Sequence, residues 1–226
     1  MSAIDSGLYP DVSAMGGLTD AIVSVARRRG IDVGAVVDPA SSPAGESVTA
    51  ELESGRGTMH VSLGTESRTF FLGVYERRFV WAEGATDDLE SLVDAVAAWR
   101  GGMPVDEFAG RFPFMVPGRL ARAREEGDVT RAQWDRLCTA EVYADERSLV
   151  TAFHEDGRFH RLFPNLSHGV LRLSFGDGAQ GARELHVVPM EGGAYRVIDT
   201  RQVESAEVVA SLDEAVAVAA RCLPGS

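Results

Sequence analysis

The sequence predicts an α+β fold, with two antiparallel β-meander-plus-helix units bracketing a helical insert. Three observations predict it. Apolar and polar residues alternate at strand period in two blocks, near residues 47–83 and 170–209. Each block runs into an apolar stripe of helical period behind a capping residue. Between the blocks, over residues 104–154, β-branched runs thin out and helical periodicity takes over. With 226 residues, 45% of them hydrophobic, the chain is long enough to bury such a core.

In chain order, Leu18, Ile22 and Val25 share one face of a helix over Leu18–Arg29, and Gly30 stops it. Arg27, Arg28 and Arg29 occupy its last turn, where cations complement the helix dipole. The Ser/Pro/Ala/Gly cluster at 39–45 reads as a loop. Strands come next at 47–52, 59–63, 68–75 and 79–83. Asp87 is the expected N-cap of the next helix, with Glu90 three residues on and Leu89, Leu92, Val93, Val96 and Trp99 on one face. Gly101-Gly102 ends it. In the insert, Thr130 to Gln133 has capping-box spacing ahead of Trp134, Leu137, Cys138 and Val142, and a further helix carries Leu149, Val150 and Phe153. The C-terminal third has strands at 170–175, 183–188, 195–199 and 204–209, then a helix capped by Ser211 with Glu214 three residues later. The segments run 1–103, 104–160 and 161–226, packed as one continuous globular unit. The shared order of elements in the outer two reads as a degenerate internal repeat.

Composition excludes several chemistries. All 22 basic residues are arginine, so there is no lysine for a Schiff base, a Walker-type phosphate loop or a protein-kinase strand. The formal charge of −12 opposes phosphate neutralisation and argues against nucleic acid as a partner. The same acidity suits a basic protein partner, or simply solubility. Two cysteines make neither a disulfide framework nor a structural zinc site, and Met1-Ser2-Ala3-Ile4-Asp5 lacks the pattern of a secretory leader. No apolar run reaches membrane-spanning length. A reducing cytoplasm, no membrane, no metal and no cofactor are the expectations.

Gly176-Asp177-Gly178-Ala179-Gln180-Gly181 matches the glycine spacing of a dinucleotide fingerprint, with Asp199 18 residues past its last glycine. The residues after it are strand-like and end in Pro189, whereas the pyrophosphate needs a helix N-terminus, so the stretch reads as a hairpin loop. Cys138 and Cys222 sit on apolar helical stripes and read as small buried hydrophobes. His154-Glu155-Asp156 and His160 have metal-binding residue types but irregular spacing, which suits a helix end and then a turn. His60 and His186 fall inside strands and are assigned no role.

The best site candidate is Ser167-His168-Gly169 running into Val170-Leu171-Arg172-Leu173-Ser174. Alternation puts His168, Val170, Arg172 and Ser174 on one face. A histidine beside an arginine that can hold an anion or carbonyl oxygen makes an acid/base pair, with Ser167 adjacent. The structural alternative is that Asn165 and Ser167 shape a turn and His168 bonds the backbone at the strand entry.

Tyr9-Pro10, Ala98-Trp99-Arg100-Gly101-Gly102, Arg111-Phe112-Pro113-Phe114, Leu162-Phe163-Pro164, Ser167-His168-Gly169-Val170-Leu171-Arg172-Leu173-Ser174 and Leu223-Pro224 together resemble a domain-of-unknown-function family from high-GC bacteria, labelled natural-product biosynthesis protein. The resemblance extends over residues 8–225 and departs at Asn165 and Leu166, where an aromatic and a threonine are expected. It implies secondary metabolism as a setting, without assigning a reaction or catalytic residues. Two functions are expected on these grounds. One is a cofactor-independent tailoring or cyclisation protein acting on a small-molecule or peptide intermediate through His168, Arg172 and Ser167. The other is a non-catalytic acidic binding protein, an escort of a peptide or an immunity-like neutraliser of a basic protein.

Overall fold

Alternate burial along the strands sets the architecture. In the strand Glu184–Pro189, for example, Leu185 and Val187 are buried while Glu184, His186 and Val188 are only partly so. Every second side chain therefore faces a core, and the others face away from it. The computed structural model describes residues 4–37, 47–77, 79–176 and 182–224. The expected loop at 39–45 and the glycine motif from Asp177 to Gly181 lie outside the described residues, as do Met1-Ser2-Ala3.

The chain forms two units, residues 1–125 and 126–226, each with a hydrophobic core of its own. The boundary falls inside the segment 104–160, whose helices divide between the units. In the N-terminal unit, helices α1 (Pro10–Ala14) and α2 (Leu18–Arg29) precede strands β1 (Val36–Val37), β2 (Thr49–Ser54), β3 (Gly57–Leu63), β4 (Phe70–Glu76) and β5 (Phe79–Thr86). Then come α3 (Leu89–Arg100), α4 (Val105–Arg111), β6 (Met115–Pro117) and α5 (Ala121–Glu125). The six strands form one antiparallel sheet in sequence order, with helices α3 and α4 in the connection from β5 to β6. Helix α2 has the expected bounds, with Gly30 in the left-handed conformation at its C-cap.

The cap of α3 is Asp88 instead of Asp87: its carboxylate accepts from the Glu90 backbone N–H at 2.9 Å. Asp87 and Asp88 are chemically equivalent in sequence, and the hydrogen-bond geometry chooses between them. The strand β6 falls where only helices are expected; three residues are too few to show a period, and they are held by pairing with β5.

The C-terminal unit contains α6 (Val129–Thr139), α7 (Arg147–Glu155), β7 (Phe163–Ser167), β8 (Val170–Ser174), β9 (Glu184–Pro189), β10 (Tyr195–Asp199), β11 (Glu207–Val209) and α8 (Leu212–Arg221). Its five strands also pair antiparallel in sequence order. Helix α6 starts behind Asp128, with no side-chain cap bond, so Thr130 lies within the first turn and the expected capping box is not formed. Strand β7 falls in a stretch to which the sequence assigns no strand and where the structural alternative has Asn165 and Ser167 shape a turn; β7 is an edge strand, where Pro164 is tolerated. The Ser211 cap is as expected: Ser211 Oγ accepts from the Glu214 N–H at 3.2 Å, and Glu214 accepts from the Ala210 N–H at 2.9 Å. Arg183 forks onto Asp199 and also reaches the Cys222 carbonyl, tying β9 and β10 to the end of α8.

Tyr9, nearly fully buried, anchors the start of the N-terminal unit. Its hydroxyl lies 2.9–3.1 Å from the carbonyls of Gly64, Ser67 and Thr69 and accepts from the Thr69 N–H at 2.9 Å. Tyr9→Phe leaves those loop groups without their partner, which costs about 1–3 kcal/mol. Thermal unfolding of the variant is expected to show that loss as a lower midpoint, whereas an unchanged midpoint would mean water replaces the hydroxyl at no cost.

Candidate functional site

The chain reverses between β7 and β8 in two residues, His168 and Gly169, at φ of 52° and 74°. Positive φ at both central positions marks the type I′ family of tight hairpins. His168 therefore does not share a strand face with Arg172 as expected. It is the exposed first residue of the turn, and left-handed backbone takes it out of the alternation. Its Nδ1 lies 3.0 Å from Ser167 Oγ, so Ser167 and His168 are together at the hairpin tip.

Arg172 is elsewhere on the same sheet. Asn165, Arg172, His186 and Ile198 are successive cross-strand neighbours on β7, β8, β9 and β10. They point away from the core, which takes Leu171, Leu173, Leu185 and Val187 from the alternate positions. Of the two positions that depart from the resemblance, Asn165 is on this outer face beside Arg172, and Leu166 packs against the core. His186, to which the sequence assigned no role, donates from Nε2 to Glu184 Oε2 at 2.6 Å, and Ser174 donates to Glu184 Oε1 at 3.0 Å. Burial pushes the Glu184 carboxyl upward, but the bonds from His186 and Ser174 and the charge of Arg172 outweigh it and hold the group below its ordinary value. Because Glu184 accepts from both, Ser174 is not activated as a nucleophile by His186. The pairing of Arg172 with His186 depends on how β8 and β9 are aligned, which neither strand's own pattern reveals.

The N-terminal sheet has a second arrangement. Val37, Glu51, His60, Gly73, Glu83 and Val116 form one continuous cross-strand row over all six strands, on the face away from the core. Tyr75 folds over Gly73, where a Cβ would meet its ring at 2.4 Å, and donates to Glu83 Oε1 at 2.6 Å. His60 Nδ1 lies 3.0 Å from Glu51 Oε1, and its ring is 5.6 Å from that of Tyr75. An open groove of about 520 Å³ runs over His60, Gly73, Tyr75 and Glu83, bordered by Ser62, Phe71 and Val116. Phe71 and Val116 are 48% and 66% exposed, so the groove pairs apolar surface with the Glu83 carboxylate. The outer positions of this sheet include Glu51, Glu53 and Glu83 and, among the described residues, no arginine. These residues come from different strands and share no local motif; a histidine alternating within β3 was the one hint in the sequence.

The remaining candidates are less reactive. Burial, with the charge of Asp135 or Asp199, pushes the Cys138 and Cys222 thiols up, away from the thiolate form. His160 Nε2 is 2.6 Å from the His154 carbonyl at the end of α7, across a short 3-10 turn. Among the described residues no group of three His, Cys, Asp or Glu side chains could hold a metal ion, and no helix is long and apolar enough to cross a membrane.

Residues 128–226 match a family of unknown function, DUF6193. The match begins two residues inside the C-terminal unit and includes Ser167, His168, Arg172 and His186; the groove of the N-terminal sheet lies outside it. It is shorter than the resemblance over residues 8–225. No curated protein and no solved structure matches the chain.

Two measurements check this geometry. At the hairpin tip, His168→Val is expected to be less stable than His168→Asn by about 1–2 kcal/mol, because a β-branched residue resists left-handed backbone; equal stabilities would argue for a different turn. At the groove, the bond to Glu83, together with burial and the Glu83 charge, raises the Tyr75 hydroxyl from 10 to about 12. The unfolded chain then loses this proton first as pH rises. The stability it contributes is present below pH 10 and lost between about 10 and about 12. Tyr75→Phe should lack that part of the alkaline loss in urea titrations; identical alkaline profiles would show the hydroxyl to be free.

Proposed function

We propose that the protein is a non-catalytic binding protein that holds a cationic peptide segment on the outer face of its N-terminal sheet. The observation that carries this reading is the groove lined by His60, Phe71, Tyr75, Glu83 and Val116, with Glu51 beside it, 3.0 Å from His60 Nδ1. Apolar surface takes the aliphatic part of such a segment, and the carboxylates take its guanidinium or ammonium groups. The aromatic faces of Tyr75 and Phe71 add favourable contacts for a cation. The net charge of −12 attracts the same class of partner at longer range. In the natural-product setting that the resemblance implies, the segment belongs to a peptide intermediate that is escorted instead of converted.

The tailoring or cyclisation reading has less support. Ser167 and His168 meet at an exposed tip, while Arg172 bonds to neither and lies beside His186. Chemistry needs its groups to converge on one reacting atom.

The test is fluorescence anisotropy with a labelled hexapeptide of alternating leucine and arginine, against its citrulline counterpart. Expected are saturable binding that weakens with salt, about tenfold weaker binding by Glu51→Gln or Glu83→Gln, and a similar loss for the citrulline peptide. Equal affinity for the two peptides, or for wild type and both variants at unchanged melting temperature, refutes the reading.

A further inference from the structure

The second open face, that of the C-terminal sheet, differs in charge from the first. Its outer positions hold Arg172, Arg196 and His186 against the single carboxylate Glu184, in a chain with 12 more acidic than basic residues. Glu184 is occupied by His186 and Ser174. Arg172 is half-buried, and it makes no hydrogen bond and no ion pair among the described residues. Its Nε is fully covered and has no acceptor. Glu184 feels the Arg172 charge, but among the described residues the covered Nε has no hydrogen-bond acceptor, a cost that a structural arginine would normally have offset by a direct bond to a carboxylate or carbonyl.

We propose that this face binds an apolar carboxylic acid, with the Arg172 guanidinium holding the carboxylate end-on through its two terminal nitrogens. The covered Nε leaves those nitrogens as the available donors, and a planar fork matches a planar carboxylate. Asn165, directly across from Arg172 on β7, offers an amide donor on one side, and His186 lies on the other. Phe163, Val170, Val188 and Ile198 occupy the surrounding outer positions and are partly buried. They give the site an apolar border, which favours a carboxylate with a hydrocarbon body over a fully hydrated oxyanion. This site is independent of the groove on the N-terminal sheet and does not rest on it.

The experiment tracks the Arg172 Nε–Hε resonance in the full chain during titration with hexanoate, hexanamide and inorganic phosphate. Expected are a saturable shift with hexanoate, at least tenfold weaker response to hexanamide and to phosphate, and loss of the hexanoate shift in Asn165→Asp. That variant places a competing carboxylate beside Arg172 at an exposed position, so it should keep the fold. Arg172→Gln should abolish hexanoate binding, measured by calorimetry, and Arg172→Lys should retain part of it. No saturable shift with hexanoate, a phosphate response as strong as that to hexanoate, or undiminished binding in both Asn165→Asp and Arg172→Gln would overturn the proposal.

Discussion

One-sided burial is the constraint on which the rest of this protein depends. Each unit lays its helices against one face of an antiparallel meander, so alternate strand residues must be apolar and those between them are free to be otherwise. In β8 the core takes Leu171 and Leu173, leaving Val170, Arg172 and Ser174 to the other face. In β3 it takes Met59 and Val61, leaving Thr58, His60 and Ser62. The groups with chemistry are therefore distributed by parity, and the sheet aligns them into rows.

Those rows explain how an acidic chain carries faces of different character. On the N-terminal sheet Glu51, Glu53 and Glu83 stand among exposed apolar side chains, and His60 and Tyr75 each sit close to a carboxylate. On the C-terminal sheet Glu184 is bonded by His186 and Ser174, and Arg172, whose charge it feels, makes no hydrogen bond among the described residues. Net charge sets the long-range field, while a ligand meets the local row.

Much of the fold was legible because its signals are local. Leu18–Arg29 repeats apolar residues at helical spacing and ends at Gly30, and Ser211 with Glu214 writes a cap in four residues. The errors arose where a local signal was ambiguous or overruled. Asp87 and Asp88 offer two equal caps, the turn-forming Asn165 and Ser167 lie within an edge strand, and Thr130 to Gln133 resembles a cap inside a helix that has already begun. At the site, parity along β8 correctly put Arg172 with Val170 and Ser174, and it failed at His168, where the backbone turns left-handed. His186 beside Arg172, and Glu83 beside Tyr75, are products of register between strands, for which a single sequence carries no local mark.

Backbone amide shift mapping with the leucine–arginine hexapeptide tests the central claim most directly, since it reports position as well as affinity. The account predicts saturable shifts gathered along the row of Glu51, His60, Gly73, Glu83 and Val116 and at Tyr75 beside it, with the amides of helix α2 unmoved. Shifts centred on α2, or none that saturate, would contradict it.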